Sequence, residues 1–256
     1  MAASIAVAES VADPLRYYQN NTMNTRTVIE VAVRAKVPHI IFSSTAAVYG
    51  NPSSVPVTED APTRPISPYG WSKLMSELML ADAARAHPLT FAVLRYFNVA
   101  GADPKLRTGQ STPDATHLIK VATQVALGLR PKMEIYGADY PTPDGTCIRD
   151  YIHVTDLARV HVAALNYLRA GGDAVTLNCG YGRGASVREV IASVKRISGV
   201  NFRVDESPRR AGDPAILISA CDKARALLGW VPQFDDLDLI VRHALAWEKT
   251  LMAKRP

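Results

Sequence analysis

The chain has 256 residues, of which 48% are hydrophobic and 21% charged, with a formal net charge of +5. That length builds one large α/β domain, or one domain with a small appendage, and the mild charge without any Lys/Arg run gives no indication of nucleic-acid binding. No stretch is long and apolar enough to span a membrane, and Cys147, Cys179 and Cys221, with no CxxC pair among them, predict neither a metal site nor a disulfide framework.

The first residues end in Ala6-Val7-Ala8 but lack a basic region and a long apolar run, so they are not read as a signal peptide. A cytoplasmic, reducing setting is expected. Residues 14–37 read as a helix carrying Val28, Ile29, Val31, Ala32 and Val33, stopped by Pro38. A short buried strand follows over 39–43. Residues 51–68 are a loop punctuated by Pro52, Pro56, Pro62, Pro65 and Pro68. A helix over 69–86 and a strand over 89–95 complete a strand–helix–strand alternation, the signature of a parallel sheet.

Residues 98–113 are polar and rich in Gly and Pro. Beyond them the pattern predicts a helix over 115–128, a strand over 133–136 and a turn-rich loop to Gly145. A helix over 154–169, capped by Thr155, and a strand over 174–179 follow. Ser186 and Glu189 form a capping-box pattern opening the next helix. A strand over 202–205 and helices over 222–228 and 236–254 finish the chain. Gly180-Tyr181-Gly182-Arg183-Gly184-Ala185 matches a dinucleotide-binding GxGxxA pattern. Too little parallel sheet follows it, so it reads as a tight turn into the capped helix.

Chemistry concentrates in Ser67-Pro68-Tyr69-Gly70-Trp71-Ser72-Lys73, where a phenol and an amine lie four residues apart on one helix face. Upstream, Ile41-Phe42-Ser43-Ser44-Thr45-Ala46-Ala47-Val48-Tyr49-Gly50 is an apolar strand ending in hydroxyls. Free tyrosine titrates near pH 10, and a cation beside it is expected to favour the phenolate. Tyr69 so tuned can take a proton from a sugar hydroxyl while hydride leaves the same carbon, with Thr45 hydrogen-bonded to that oxygen.

These segments resemble the extended short-chain dehydrogenase/reductase family, most closely its UDP-glucose 4-epimerase branch. Asp13-Pro14-Leu15-Arg16-Tyr17-Tyr18-Gln19-Asn20-Asn21, the two segments above, Leu94-Arg95-Tyr96-Phe97-Asn98, the run from Asp139 to Thr146, Arg149-Asp150-Tyr151-Ile152-His153-Val154 and Arg209-Arg210-Ala211-Gly212-Asp213 match in order. The resemblance implies an α/β fold: a doubly wound, parallel-sheet Rossmann-like domain lacking its first strands, with a small mixed α/β substrate region. The sheet domain would span 1–98 and the UDP-sugar region 99–256, with elements over about 137–168 returning to the sheet.

The resemblance further implies NAD-dependent interconversion of UDP-glucose and UDP-galactose. Tyr69 would be the base, Lys73 its partner on the nicotinamide ribose, and Thr45 the contact to the sugar's reacting oxygen. Asn20 and Phe97 would lie against NAD and Asn98 against the diphosphate. Glu134, Ile135 and Tyr136 would line the uracil, while Arg149, Arg210 and Asp213 would hold phosphates and ribose. His117-Leu118 stands where relatives often carry Asn-Leu. Leu217 stands where some carry Tyr, which bears on whether N-acetylated UDP-sugars fit. A homodimer built on the helices that begin at Pro14 and Tyr69 is also implied.

Related dehydratases need carboxylates right after the hydroxyl, where this chain has Ala46-Ala47. The family's Gly-rich turn would precede Met1, by on the order of eighty residues, with Met1-Ala2-Ala3-Ser4-Ile5 ending a central strand. A chain without that turn is expected to retain NAD poorly. The alternative reading is a non-catalytic remnant that at most binds UDP-sugars.

Overall fold

The computed structural model describes residues 3–112, 115–210 and 213–254. In chain order come α1 (Val7–Ala12), α2 (Pro14–Tyr17), a π-helical segment (Tyr18–Met23), α3 (Asn24–Arg34), β1 (His39–Thr45), a 3-10 turn (Ala46–Tyr49), α4 (Pro68–Ala86), β2 (Thr90–Tyr96) and β3 (Asn98–Ala100). Next are α5 (Leu118–Ala126), β4 (Met133–Tyr136), β5 (Ile148–Arg149), β6 (Tyr151–His153), α6 (Val154–Arg169) and β7 (Val175–Cys179). The chain finishes with β8 (Ala185–Ser186), α7 (Val187–Ser198), β9 (Val204–Ser207), β10 (Ile216–Leu217), α8 (Asp222–Leu228) and α9 (Leu237–Ala253). Among the described residues no helix is long and apolar enough to cross a membrane.

Two compact units result. Met1–Phe97, Arg159–Cys179 and Ser219–Val231 form the first; Asn98–Ala158, Gly180–Ile218 and Pro232–Pro256 form the second. The segments that rejoin the first unit are therefore 159–179 and 219–231, where the sequence suggested 137–168. The reason is β7, which completes the first unit's sheet by pairing with β2.

In the first unit β1, β2 and β7 pair in parallel in that order. The register sets Thr45, Tyr96 and Cys179 in one row at the carboxyl ends of the strands. β2 is central, so its sequence is apolar without alternation: Ala92, Val93 and Leu94 are at most 1% exposed. β1 is an edge strand among the described residues, and His39 to Ser43 are only half-buried. Ile29 of α3, Leu80 of α4, Leu89 and Val93 make a core cluster against which Val33, Ile40 and Phe42 pack. Each such side chain contributes about 1.5–3 kcal/mol when fully buried.

The expected strand end near the start is not seen. Met1 and Ala2 lie outside the described residues, and Ala3 to Ile5 belong to no strand. Asn21 takes both backbone groups of Ser4, accepting its N–H at 2.9 Å and donating to its carbonyl at 2.9 Å. Asn21 sits in the π-helical segment, which interrupts what the sequence reads as one helix.

In the second unit α5, α7 and α9 pack on one another. Lys120 and Glu248 form an ion pair inside that packing, and Lys120 Nζ also donates to Gln110 O at 2.8 Å. The capping box at Ser186 and Glu189 forms as expected. Small pairings, parallel for β3 with β6, β4 with β9 and β5 with β10 and antiparallel for β5 with β8, supply the rest of the framework.

The start of α6 differs from expectation. Thr155 does not act as the cap; its own N–H is capped by His153 Nδ1 at 3.0 Å. Because Nδ1 accepts, the ring proton sits on Nε2, which donates to His243 Nδ1 at 3.0 Å. Burial, with the neighbouring His243, draws His153 from 6.5 down to about 4, against the opposing pull of Asp156 and Asp103. A histidine lowered on folding stabilises the fold above its unfolded value and loses that contribution as pH falls. Stability is expected to drop by about 3 kcal/mol between pH 6.5 and 4. A His153→Gln variant in urea titrations at both pH values should show a smaller drop; an equal drop would clear His153 of the effect.

Candidate active site

The Tyr–Lys helix is placed by its first turn. Ser67 caps α4 by accepting the Gly70 N–H at 3.2 Å, and Pro68 occupies the first helical position, where no N–H is needed. Gly70 is needed for close approach: a Cβ there would lie 2.7 Å from Ala47 O and 2.9 Å from Pro65 Cβ. The helix start is thereby pressed against the 3-10 turn that follows β1. Gly70→Ala is expected to destabilise by about 1–3 kcal/mol and to lower turnover as well, checked by thermal unfolding beside the assay described below.

Thr45 is oriented by that same turn, its Oγ1 accepting the Ala47 N–H at 3.2 Å. The hydroxyl proton is left to donate, and Thr45 lies near enough to the Tyr69 phenol to lower its proton affinity. Tyr69 is 8% exposed, with the Tyr17 ring edge-on at 6.5 Å. Lys73, equally buried, donates from Nζ to Ser43 O at 3.0 Å and lies 5.1 Å from the Phe42 ring centre.

The electrostatics correct one expectation. The phenol of Tyr69 is pushed up to about 12, chiefly by burial, against the lowering effect of Thr45. Burial draws Lys73 down to about 8, opposed by Glu77. The amine therefore does not depress the phenol by itself; it is engaged by a β1 carbonyl. A buried phenol in this condition ionises readily only when a further positive charge is brought beside it.

That requirement fits an oxidised nicotinamide, which is cationic. Among the residues expected at such a group, Asn20 is half-buried, its Nδ2 donating to Ser4 Oγ at 3.0 Å, and Phe97 is buried. The Gly-rich turn after β7 does not serve it. Asp150 takes the N–H groups of Tyr181 at 2.9 Å and Gly182 at 3.0 Å, and Gly182 has φ of +79°. The turn is a structural one leading to α7, as its sequence context suggests.

In the second unit, Arg149 pairs with Asp213 (3.6 Å). The guanidinium of Arg210 lies 3.8 Å from the Tyr136 ring centre, while Arg209 is held by Asp139 at 2.7 Å. Tyr136 donates its hydroxyl to Glu134 at 2.7 Å. Ile135 departs from expectation: strand alternation turns it inward, and at 2% exposure its side chain belongs to the core. Asn98 begins β3, its N–H donating to Asp150 O at 3.0 Å. Gln110 donates to His117 Nδ1 at 2.8 Å, and Leu118 begins α5 half-buried. Leu217 pairs with Arg149 across the β5–β10 bridge. Of the expected Arg209-to-Asp213 segment, Ala211 and Gly212 lie outside the described residues.

Sequence reasoning missed Ser44, Glu77 and Arg95, a buried polar group beside Lys73. The signal was present in the spacing, since Glu77 continues the four-residue step from Tyr69 to Lys73.

A family model for the NAD dependent epimerase/dehydratase family matches residues 1–180. The chain belongs to this family. A UDP-glucose 4-epimerase of Azospirillum brasilense is 60% identical, over 98% of this chain and 72% of the relative. Among solved structures, the UDP-glucose 4-epimerase of Brucella ovis in complex with NAD superimposes with a TM-score of 0.93 at 46% identity, covering 96% of this chain and 76% of that one. The UDP-Glc/GlcNAc 4-epimerase of Campylobacter jejuni does so with a TM-score of 0.83 at 53% identity, covering 98% and 76%. The α/β, Rossmann-like fold expected for this epimerase chain is thus shared with those enzymes.

Proposed function

We propose that this epimerase-family chain interconverts UDP-glucose and UDP-galactose by oxidising and re-reducing C4 of the sugar. The observation that carries the proposal is the buried pair of Tyr69 and Lys73 one turn apart on α4, with Lys73 Nζ tied to Ser43 O at 3.0 Å beside Thr45 at the end of β1. NAD, when bound, supplies a reversible hydride acceptor for the ring carbon. Tyr69 takes the C4 hydroxyl proton as oxidation proceeds and returns it on reduction. Thr45 donates to that oxygen and fixes its direction. Lys73 contributes positive charge that stabilises the phenolate, and with Tyr69, Asn20 and Phe97 would hold the nicotinamide end.

Asn98, His117, Leu118, Glu134, Tyr136, Arg149, Arg210 and Asp213 are assigned to the uridine diphosphate. Guanidinium forks suit phosphate oxygens, and the Arg210–Tyr136 stack offers a flat face for a base. Ile135 is assigned by its backbone alone. A second copy of the chain is part of the same proposal, because Leu15, Trp71, Met75 and Leu78 are 39–77% exposed on α2 and α4; sedimentation distinguishes monomer from dimer. Three buried cysteines with no disulfide fit the cytoplasm.

The test supplies the purified chain with NAD and UDP-galactose and follows UDP-glucose formation, with UDP-N-acetylgalactosamine in parallel. Conversion of UDP-galactose is expected. No conversion with NAD in excess would contradict the assignment.

A further inference from the structure

Glu77 lies one helical turn beyond Lys73 and is 7% exposed, yet the proton transfers above do not use it. Its carboxylate accepts the hydroxyl of Ser44, the residue before Thr45. Arg95 of β2 grips it with Nε at 3.2 Å from both oxygens and Nη2 at 2.6 Å from Oε2. Arg95 Nη1 donates to the Tyr49 hydroxyl at 3.0 Å, and Tyr49 donates to Asn178 Oδ1 at 2.7 Å. Asn178 Nδ2 in turn donates to Val57 O at 2.9 Å. One run of hydrogen bonds thus ties α4 to β1, β2, β7 and the 3-10 turn.

A buried ion pair adds little net stability, because desolvating both charges offsets most of their attraction. An apolar pair of similar size would fill the same space. It would not fix the rotation of α4 against the end of β1, nor set a negative charge one turn from the Lys73 amine. We propose that Glu77 is a positioning residue, which through Ser44 locks α4 against the end of β1 where Thr45 meets Tyr69, and which sets its negative charge one turn from the Lys73 amine. This rests on the roles given to Tyr69, Lys73 and Thr45, but it concerns their arrangement, which is measurable without turnover.

The groups facing Lys73 are few. Tyr69 and Glu77 share its helix, Ser43 and Phe42 come from β1, Tyr96 of β2 and His161 of α6 (3.1 Å) stand behind Ser43, and Arg95 of β2 is paired with Glu77. Glu77 is the one that opposes the effect of burial on Lys73.

The test is a pH titration of the Lys73 side-chain NMR signal in the full chain, labelled at lysine and assigned by its loss in Lys73→Arg. Glu77→Gln is expected to move the midpoint down by about one pH unit, a tenfold loss of proton affinity. Because that change leaves the Arg95 guanidinium without its partner, Glu77→Gln/Arg95→Met, which leaves no unmatched charge, is measured beside it. The downward shift should persist there. A midpoint at or above the wild-type position in the folded variants would overturn the proposal even if turnover fell, since Glu77 would then be structural only. If the wild-type chain shows no turnover, the functional reading fails while the titration still decides the role of Glu77.

Discussion

Tyr69→Phe is expected to cut UDP-galactose turnover by about a hundred- to ten-thousand-fold, the usual contribution of a positioned acid–base group. The change removes one oxygen from a ring that packs edge-on against Tyr17, so the fold should be preserved. The residues assigned to the uridine diphosphate are untouched, and UDP affinity should stay within a few-fold. Loss of the phenol leaves Thr45 beside the sugar oxygen, and its proton cannot be removed near neutral pH. Calorimetric UDP binding alongside single-turnover kinetics separates the two effects. Turnover that survives in Tyr69→Phe would move the base to another residue.

The largest expected stability loss lies elsewhere. Lys120 and Glu248 have side chains only 6% and 4% exposed. Removing one member of such a pair typically costs about 3–5 kcal/mol, because the other is left charged in the interior. Lys120→Met should therefore lower the urea midpoint severely, although the Gln110 carbonyl that Lys120 satisfies keeps the Trp247 Nε1 donor at 3.2 Å. Lys120→Met/Glu248→Leu should recover most of the loss. If the double variant is no better than the single one, packing of α5 on α9 and not charge burial sets the cost.

Much of the frame was legible because particular residues announce it. Ser67-Pro68 starts α4, Ser186 with Glu189 starts α7, and the unbroken apolar run of β2 signals a strand covered on both faces. The strands β3, β5, β6, β8 and β10 were not legible, since two or three residues cannot display a period. The π-helical segment was hidden too, because the surrounding sequence continues to read as helix. Within the site, residue types and spacing identified Tyr69, Lys73 and Thr45 as a group. The direction of the Tyr69 shift was not legible: it depends chiefly on burial, which is not a matter of spacing. The Arg149–Asp213 pairing likewise joins residues far apart in the chain, a contact that spacing alone cannot display.

The central claim is that one ring carbon is oxidised and then reduced again with its own hydride, while Tyr69 handles only the oxygen-bound proton. UDP-galactose carrying deuterium at C4, converted in ordinary water with NAD supplied, tests this directly by mass and NMR analysis of the product. UDP-glucose retaining the deuterium at C4 is the predicted result. Protium at C4 would mean that the carbon-bound hydrogen had exchanged with solvent, and the roles given to Tyr69, Lys73 and Thr45 would be contradicted.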